Sequence, residues 1–552
     1  MTTPAADPIT VEIIQSALGA ITDEMFATMR KTAMSSIIYE VLDFGVAITN
    51  ADGELASSGS GIPGFVGMLA PGVRSVLAKH DRAAMAIGDV FMTNIPHHGG
   101  VSHLNDVVLM LPVFAGEQLI AWLANKAHYV DVGGSFPGSI SPDAVDVYQE
   151  GLQLPCIKVI DAGTPNQAVL DIMAGNSRQP ETTIGDFWAG IASMRAGARR
   201  FEALIDKYGA DTVAFALADY IELGESIARA ALKTLPKGTF HAEDQLDSGE
   251  PVKVSVTISE NAFTVDLRGN PPQRADALNT SFDATMVDVE MMFKAITAPQ
   301  QFANAGSFRP VQLLVDEGSM FSARYPAAMS VYYETSMITF DLLWKALAPV
   351  LPDRLPAAHY GSICGTFMGD SHPQTGAAQS IVEPQIGGWG ATRERDGVNA
   401  LYTSFHGETY NVPVEIAEQR YGLRIDSLSL NDAPGGEGEF LGGKGIKLRY
   451  RVLADDWWIT MAYVRSTIGP WGLAGGEAGS TNYMIVHRAD GSKERFSACT
   501  ALQLNRDDVI EIITANGGGY GDPQARPAAQ VREDLKNGYL QPERAAALYG
   551  VS

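Results

Sequence analysis

HHGGVSHLNDVVLMLPVFAGEQLIAWLANKAH, residues 97–128, is the stretch on which the fold turns. Two apolar runs, VVLMLPVF and LIAWLANKA, are joined by A-G-E-Q, a turn signal, so the pattern predicts a β-hairpin. Hairpin pairing lays the start of the first strand on the end of the second. His103 and Asp106 then come to lie beside His128 at the open end. A strict pairing in which residue 115 faces 119 sets Asp106 opposite His128. A slip of one residue would turn these side chains to opposite faces. The chain has ten histidines, three of them between 97 and 103 and a fourth at 128.

A further carboxylate is needed to complete a four-donor set, and three are candidates. Asp43 interrupts the apolar run VLDFGVAI, where a lone carboxylate is costly unless paired or metal-bound. Asp52 lies in an N-A-D-G turn and reads as structural. Asp131 reads as a partner that holds a ligand imidazole in its tautomer. His97 and His98 each read as loop histidines. Two imidazoles and two carboxylates suit zinc, manganese or iron better than calcium, and such a set leaves a position open for water or substrate.

Outward from the hairpin, residues 9–36 read as a helix, with Ile13, Ile14, Leu18, Ile21, Met25 and Met29 at helical spacing. Residues 40–59 read as strand, turn and strand. A helical stretch covers 181–235. KVSVTISENAFTVDLRG reads as a hairpin, and KLRYRVLADDWWITMAYV and NYMIVHRADGSKERF read as hairpin arms within a Gly-rich, strand-like 380–520 region. The tail reads as two short helices broken at Gly538. The expectation is a mixed α+β, multi-domain chain, divided into 1–235, 236–380 and 381–552, with the metal-bearing region first.

The 552 residues hold 40 Lys+Arg against 64 Asp+Glu, a net charge of -24. No basic stripe is present to displace phosphate counterions, so nucleic acid and anionic membranes are poor partners. Cys156, Cys364 and Cys499 are too scattered for a disulfide framework or zinc ribbon. The first residues lack the basic and apolar regions of a signal peptide, and no 18-residue apolar run occurs; a cytoplasmic protein is expected. GSGIPG (59–64) and GEFLGGKG (438–445) imitate nucleotide loops. The first holds Pro63, and Gly445 stands where the second needs Ser or Thr, so neither carries a phosphate.

LDFGVAITNADGELASSG, HHGGVSHLND, AHYVDVGG, NSRQPETTIGDFWAGIASMRAGARR, IGGWGATRERDG, NVPVEIAEQRYGLRI, GGEGEFLGGKGIKLRY and GGGYGDPQARPAAQVREDLKNG follow one another in an order that resembles the hydantoinase B/oxoprolinase family, over nearly the whole chain. The resemblance implies a divalent metal held by Asp43, His103, Asp106 and His128. It implies a hydantoinase A-like partner that binds ATP with Mg and phosphorylates the substrate, in a hetero-oligomer. The implied reaction is the opening of a hydantoin, lactam or 5-oxoproline, with Asp43 or His98 as general base and Asp131 in support. A second branch carboxylates ketones such as acetone or acetophenone, and a third possibility is a non-catalytic scaffold. The amidohydrolase members resembled carry a D-P-[YF]-x-G-G-T-H-L-x-D loop. Here Ile95 replaces the first Asp and one extra residue precedes His103, as in the carboxylase branch, while the tail is similar to the amidohydrolases.

Overall fold

The computed structural model describes residues 7–97, 99–372, 376–407 and 409–551 of a mixed α+β, multi-domain chain. The first sheet holds β1 (Phe44–Asn50), β2 (Leu55–Gly61), β3 (Val90–Thr93), β4 (Asp106–Ala115), β5 (Gln118–His128), β6 (Ile157–Asp161) and β7 (Thr164–Pro165), in the order β2-β1-β5-β4-β3-β6-β7. Every neighbouring pair is antiparallel. The GSGIPG match therefore lies in an antiparallel arrangement, not at the head of a parallel dinucleotide-binding unit.

The apolar continuity of β4 has a simple cause: both faces of the sheet are covered. Val107, Leu109 and Leu111 join one core, with Leu18, Met25, Ile191 and Met194 of the helices Pro8–Thr32 and Pro180–Tyr208. Val108 and Met110 join another, with Leu69, Val73 and Val76 of the helix Pro63–Lys79. Period-two alternation is invisible in hydropathy when both sides are buried. The long helix approaches closely through small residues: a Cβ at Gly190 would lie 2.7 Å from Leu109 Cδ1, and one at Gly197 2.6 Å from Met25 Sδ. The first helix ends at Thr32, earlier than the spacing predicts, and Ile13 is exposed while Val11 packs inward. The 181–235 stretch is two helices, Pro180–Tyr208 and Ala210–Thr234, broken at Gly209, whose φ is 83°.

β8 (Gly238–Gln245), β9 (Pro251–Ile258), β10 (Phe263–Asp266) and β11 (Val311–Leu314) form a second sheet, with β9 and β10 as the expected hairpin. The helix Tyr332–Leu347 packs on it and is buried nearly all round. Two more sheets follow. β12 (Thr366–Ser371), β13 (Ala378–Glu383), β16 (Trp457–Ala462) and β19 (Ala498–Leu504) make one. β14 (Leu423–Leu430), β15 (Ile446–Val452), β17 (Tyr483–His487), β18 (Lys493–Phe496) and β20 (Val509–Ile513) make the other. β17 and β18 pair as the sequence predicts. KLRYRV and WWITMA do not: β15 pairs with β14 and β20, and β16 with β12 and β19. β15 alternates buried and half-buried residues, whereas all of β16 is buried, so β16 goes to the middle of a different sheet.

Much of the Gly-rich region is not strand at all. Residues 387–391 hydrogen-bond in several directions: Tyr360 N–H to Gly388 O (2.9 Å), Gly388 N–H to Ala515 O (2.9 Å), Trp389 N–H to Val398 O (2.9 Å) and Gly443 N–H to Trp389 O (2.8 Å). A β-strand bonds neighbours on two sides in one plane; this segment bonds four other segments around it. Backbones this close exclude side chains. A Cβ at Gly443 would lie 2.0 Å from Val398 O, and one at Gly517 2.3 Å from Trp389 C. The tail helices Ala528–Lys536 and Pro542–Tyr549 flank this bundle, with Arg526 bonded to Asp396 and Glu439 O, and Arg544 to Glu437. Among the described residues no helix is long and apolar enough to cross a membrane.

Gly443→Ala is expected to lower stability by about 3 kcal/mol or more, because backbone has to move. Gly19→Ala lies mid-helix with open space around its Cβ and is expected to raise stability by about 0.5–1 kcal/mol. Thermal unfolding of both variants checks the contrast.

Candidate metal centre

β4 and β5 bring Asp106 opposite His128, as the hairpin reading requires. They do so by a different turn. Ala115 faces Gln118 and Phe114 faces Leu119, around a two-residue turn in which Gly116 has φ 62°. A register shift between Val113 and Phe114 leaves Ile120 unpaired and restores the alignment from Val113↔Ala121 onward. β1 adds the second carboxylate. Phe44 faces Ala127, and the His128 N–H donates to Asp43 O at 3.1 Å, so Asp43, His128 and Asp106 stand side by side at the ends of β1, β5 and β4. Asp43 is not inside a strand, contrary to the sequence reading. It precedes β1, after Leu42 at φ 64°, and a fifth of its side chain is exposed. His103 is carried in by a turn, Asp106 N–H to His103 O at 3.1 Å.

The donor atoms converge. His103 Nε2 is 3.1 Å from Asp106 Oδ1 and 3.2 Å from His128 Nδ1. His128 Nδ1 is 3.5 Å from Asp106 Oδ1 and 3.8 Å from Asp43 Oδ2. Donors held tetrahedrally about zinc lie roughly 3.3–3.6 Å apart. The protonation pattern also fits a cation. His103 Nδ1 lies 2.9 Å from Ser330 O, an atom that can only accept, so Nδ1 carries a hydrogen. In the neutral ring Nε2 is then a lone pair, and it faces Asp106 Oδ1, which is buried and has no donor. Two lone pairs at that distance repel unless a proton or a metal ion sits between them. His103, Asp106 and His128 can therefore hold a divalent cation, and Asp43 lies beside His128 as a further donor.

The other oxygen of Asp106 is engaged from behind. The Ser102 hydroxyl donates to Oδ2, and Lys126 Nζ lies 3.2 Å from it, also donates to Ser102 Oγ, and sits 4.1 Å from the centre of the Phe65 ring. Lys126 is two residues before His128, on the same face of β5. Burial alone would raise Asp106, but with no metal bound the cationic form of His103 and Lys126 outweigh it and hold the carboxyl well below the usual range. Burial pushes Asp43 up to about 7, with Asp106 adding to the effect and His128 and Lys126 opposing it. Lys126 is lowered by burial against the pull of Asp106.

The other sequence candidates lie elsewhere. Asp131 is buried and its oxygens accept from Gly133 N–H (3.0 Å), Gly138 N–H (3.1 Å) and Arg178 (3.0 and 3.1 Å), so it holds the 131–138 loop rather than an imidazole. The orienting acceptor is Ser330 O. Asp52 is at the surface with Arg82, and His97 Nε2 lies 3.0 Å from Ala327 O. His98 lies outside the described residues.

The cluster opens on a cavity of about 50 Å³, room for a few waters. Its walls include Phe65, Tyr332 and Tyr333 and, from the C-terminal half, Ile363, Phe367, Val382, Phe405 and His406. His406 is buried, bonds Thr403 Oγ1 through Nδ1 at 2.9 Å, and is lowered to about 3 by burial, so it is neutral. Sequence reasoning missed Lys126, the tyrosines and His406. Lys126 had a signal, a charge inside an apolar strand; His406, nearly 280 residues from His128, had none.

The hydantoinase B/oxoprolinase family model matches residues 7–523. An uncharacterized protein of Methanocaldococcus jannaschii is 34% identical, over 96% of this chain and 93% of its own length. The putative D-/L-hydantoinase B subunit of a Pseudomonas species is 32% identical, over 99% and 95%. The solved structure of ATP-dependent caprolactamase from Pseudomonas jessenii superposes with a TM-score of 0.92 at 26% identity, covering 99% of this chain and 97% of that one. A nucleotide-free acetone carboxylase shares the fold, with a TM-score of 0.91 at 20% identity over 99% of this chain and 80% of that one. The chain belongs to the hydantoinase B/oxoprolinase family.

Proposed function

We propose that this chain is the metal-dependent hydrolytic subunit of a two-component, ATP-dependent enzyme that opens a cyclic amide of the hydantoin, lactam or 5-oxoproline type. The observation that carries the reading is the convergence of His103, Asp106 and His128, with Asp43 3.8 Å from His128, at the foot of an apolar cavity. Relatives named as the B subunit of a hydantoinase and the beta subunit of a caprolactamase support a partner chain; we assign that partner the A-type role of binding ATP with Mg and phosphorylating the substrate oxygen. The three free thiols suit a reducing cytoplasm.

In the net reaction one ATP and two waters are consumed. One water adds oxygen at the ring carbonyl carbon as the C–N bond breaks and the nitrogen takes a proton; the second releases phosphate. A bound zinc, manganese or iron ion supplies Lewis-acid polarisation and makes water more acidic. The residues do the rest. His103 and His128 present lone pairs, His103 through the tautomer set by Ser330 O. Lys126 and Ser102 hold Asp106 Oδ2, leaving Oδ1 to the cation. Asp43 completes the donor set from the cavity side and is the carboxylate we assign to take the proton that water gives up. The apolar walls keep bulk water from the phosphorylated ring.

Stripping the divalent metal from the reconstituted enzyme is expected to abolish ring opening and readdition to restore it; full activity in the stripped enzyme would sink the metal role. Asp106→Asn should lose metal by elemental analysis while the complex still assembles on gel filtration. A collapse of assembly instead would favour a structural scaffold. Lys126→Met should weaken metal binding by about 10–100-fold, read by competition with a fluorescent chelator. Bicarbonate-dependent turnover in which the product gains a carboxyl would replace the hydrolase by the carboxylase reading.

A further inference from the structure

The cavity above the cluster has an unusual charge inventory for a site that receives a phosphorylated molecule. Among its described lining residues there is no Arg and no Lys. Of the two groups whose positive charge acts on Asp43, His128 belongs to the cluster itself, and Lys126 is fully buried, outside the lining, and committed to Asp106 Oδ2 and Ser102 Oγ. The polar groups that do face the space are carboxylate, imidazole, phenol and Thr409. Of these, His406 is buried among aromatic neighbours and carries no charge. The walls opposite the cluster are Ile363, Phe367, Val382 and Phe405, each under a tenth exposed.

Two negative groups cannot both be met here. A divalent ion at the cluster can balance one phosphoryl group. A second anion on the ring would meet phenol and hydroxyl donors at most, with apolar walls and Asp43 around it and no cation left to balance it, a costly state for a charge stripped of water. We infer that the ring this chain accepts bears no carboxylate: its substrate class is the neutral cyclic amide, a lactam or a hydantoin with uncharged substituents, and 5-oxoproline is discriminated against by charge. This rests on the cyclic-amide reading above and narrows it.

The test uses three rings of one size. 2-Pyrrolidinone, 5-oxoproline and the carboxamide of 5-oxoproline are each supplied with ATP to the chain reconstituted with its A-type partner, and ring opening is followed by the appearance of the product's primary amine. The expected order places 2-pyrrolidinone and the carboxamide above 5-oxoproline in kcat/KM by at least about tenfold. Equal or faster opening of 5-oxoproline overturns the inference. So does a carboxamide as poor as the acid, which would make size the determinant. To assign the discrimination to this cavity and not to the partner, Val382→Lys and Ile363→Lys are compared with the same partner. At least one variant that still opens 2-pyrrolidinone should raise the 5-oxoproline to 2-pyrrolidinone ratio. An unchanged ratio in variants that open 2-pyrrolidinone overturns the inference, and the wild-type comparison decides if neither variant folds. Failure of the underlying reading has a different signature: no ring is opened, while a ketone is carboxylated with bicarbonate.

Discussion

The alignment of Asp106 with His128 across β4 and β5 is the constraint on which the centre depends. It is a matter of one residue. The two-residue turn at Gly116 starts the hairpin out of step with that alignment, and the bulge at Ile120 corrects it within the next pair. Side chains alternate along a strand with period two, so without the bulge Asp106 and His128 would face opposite sides of the sheet. β1 then extends the same row by one strand and delivers Asp43, while Lys126 falls two residues before His128 on the shared face.

Charge follows from that geometry. Asp106 is the pivot, with one oxygen fixed by Lys126 and Ser102 and the other left without a donor. His103 is held from the far side by Ser330 O, and that peptide is itself anchored where Ser330 N–H and Met329 N–H donate to buried Glu150 at 2.5 and 2.7 Å. The centre is thus braced through backbone two steps away from the donors. Burial pushes Glu150 up to about 8, which suits a carboxyl kept in an apolar setting with an oxygen to spare.

The glycine bundle closes the other side. Ile363, Val382 and Phe405 reach the cavity from segments that run into it: Gln385 N–H donates to Ile363 O at 3.2 Å, and Tyr360, whose hydroxyl bonds Gln385 O, is itself bonded to Gly388. Backbones packed without side chains are rigid in position and intolerant of substitution, which makes them a firm mount for a wall that carries no catalytic group. The apolar character of that wall is what limits the charge a bound ring can bring.

What the sequence determined by itself was local. Period and turn chemistry placed the hairpin, the helices and the cluster His103, Asp106 and His128, because residues at the two ends of a hairpin are near in space whatever the rest of the chain does. Asp43 was legible as an anomalous charge, and Lys126 carried the same signal. The tertiary structure decided what depends on distant chain. It separated β15 from β16, since a strand buried on both faces needs two neighbours that local pairing does not supply. It gave Asp131 to Gly133, Gly138 and Arg178, and it brought His406 and the apolar wall over the centre. Such contacts join residues hundreds of positions apart, and only packing of the whole chain chooses them.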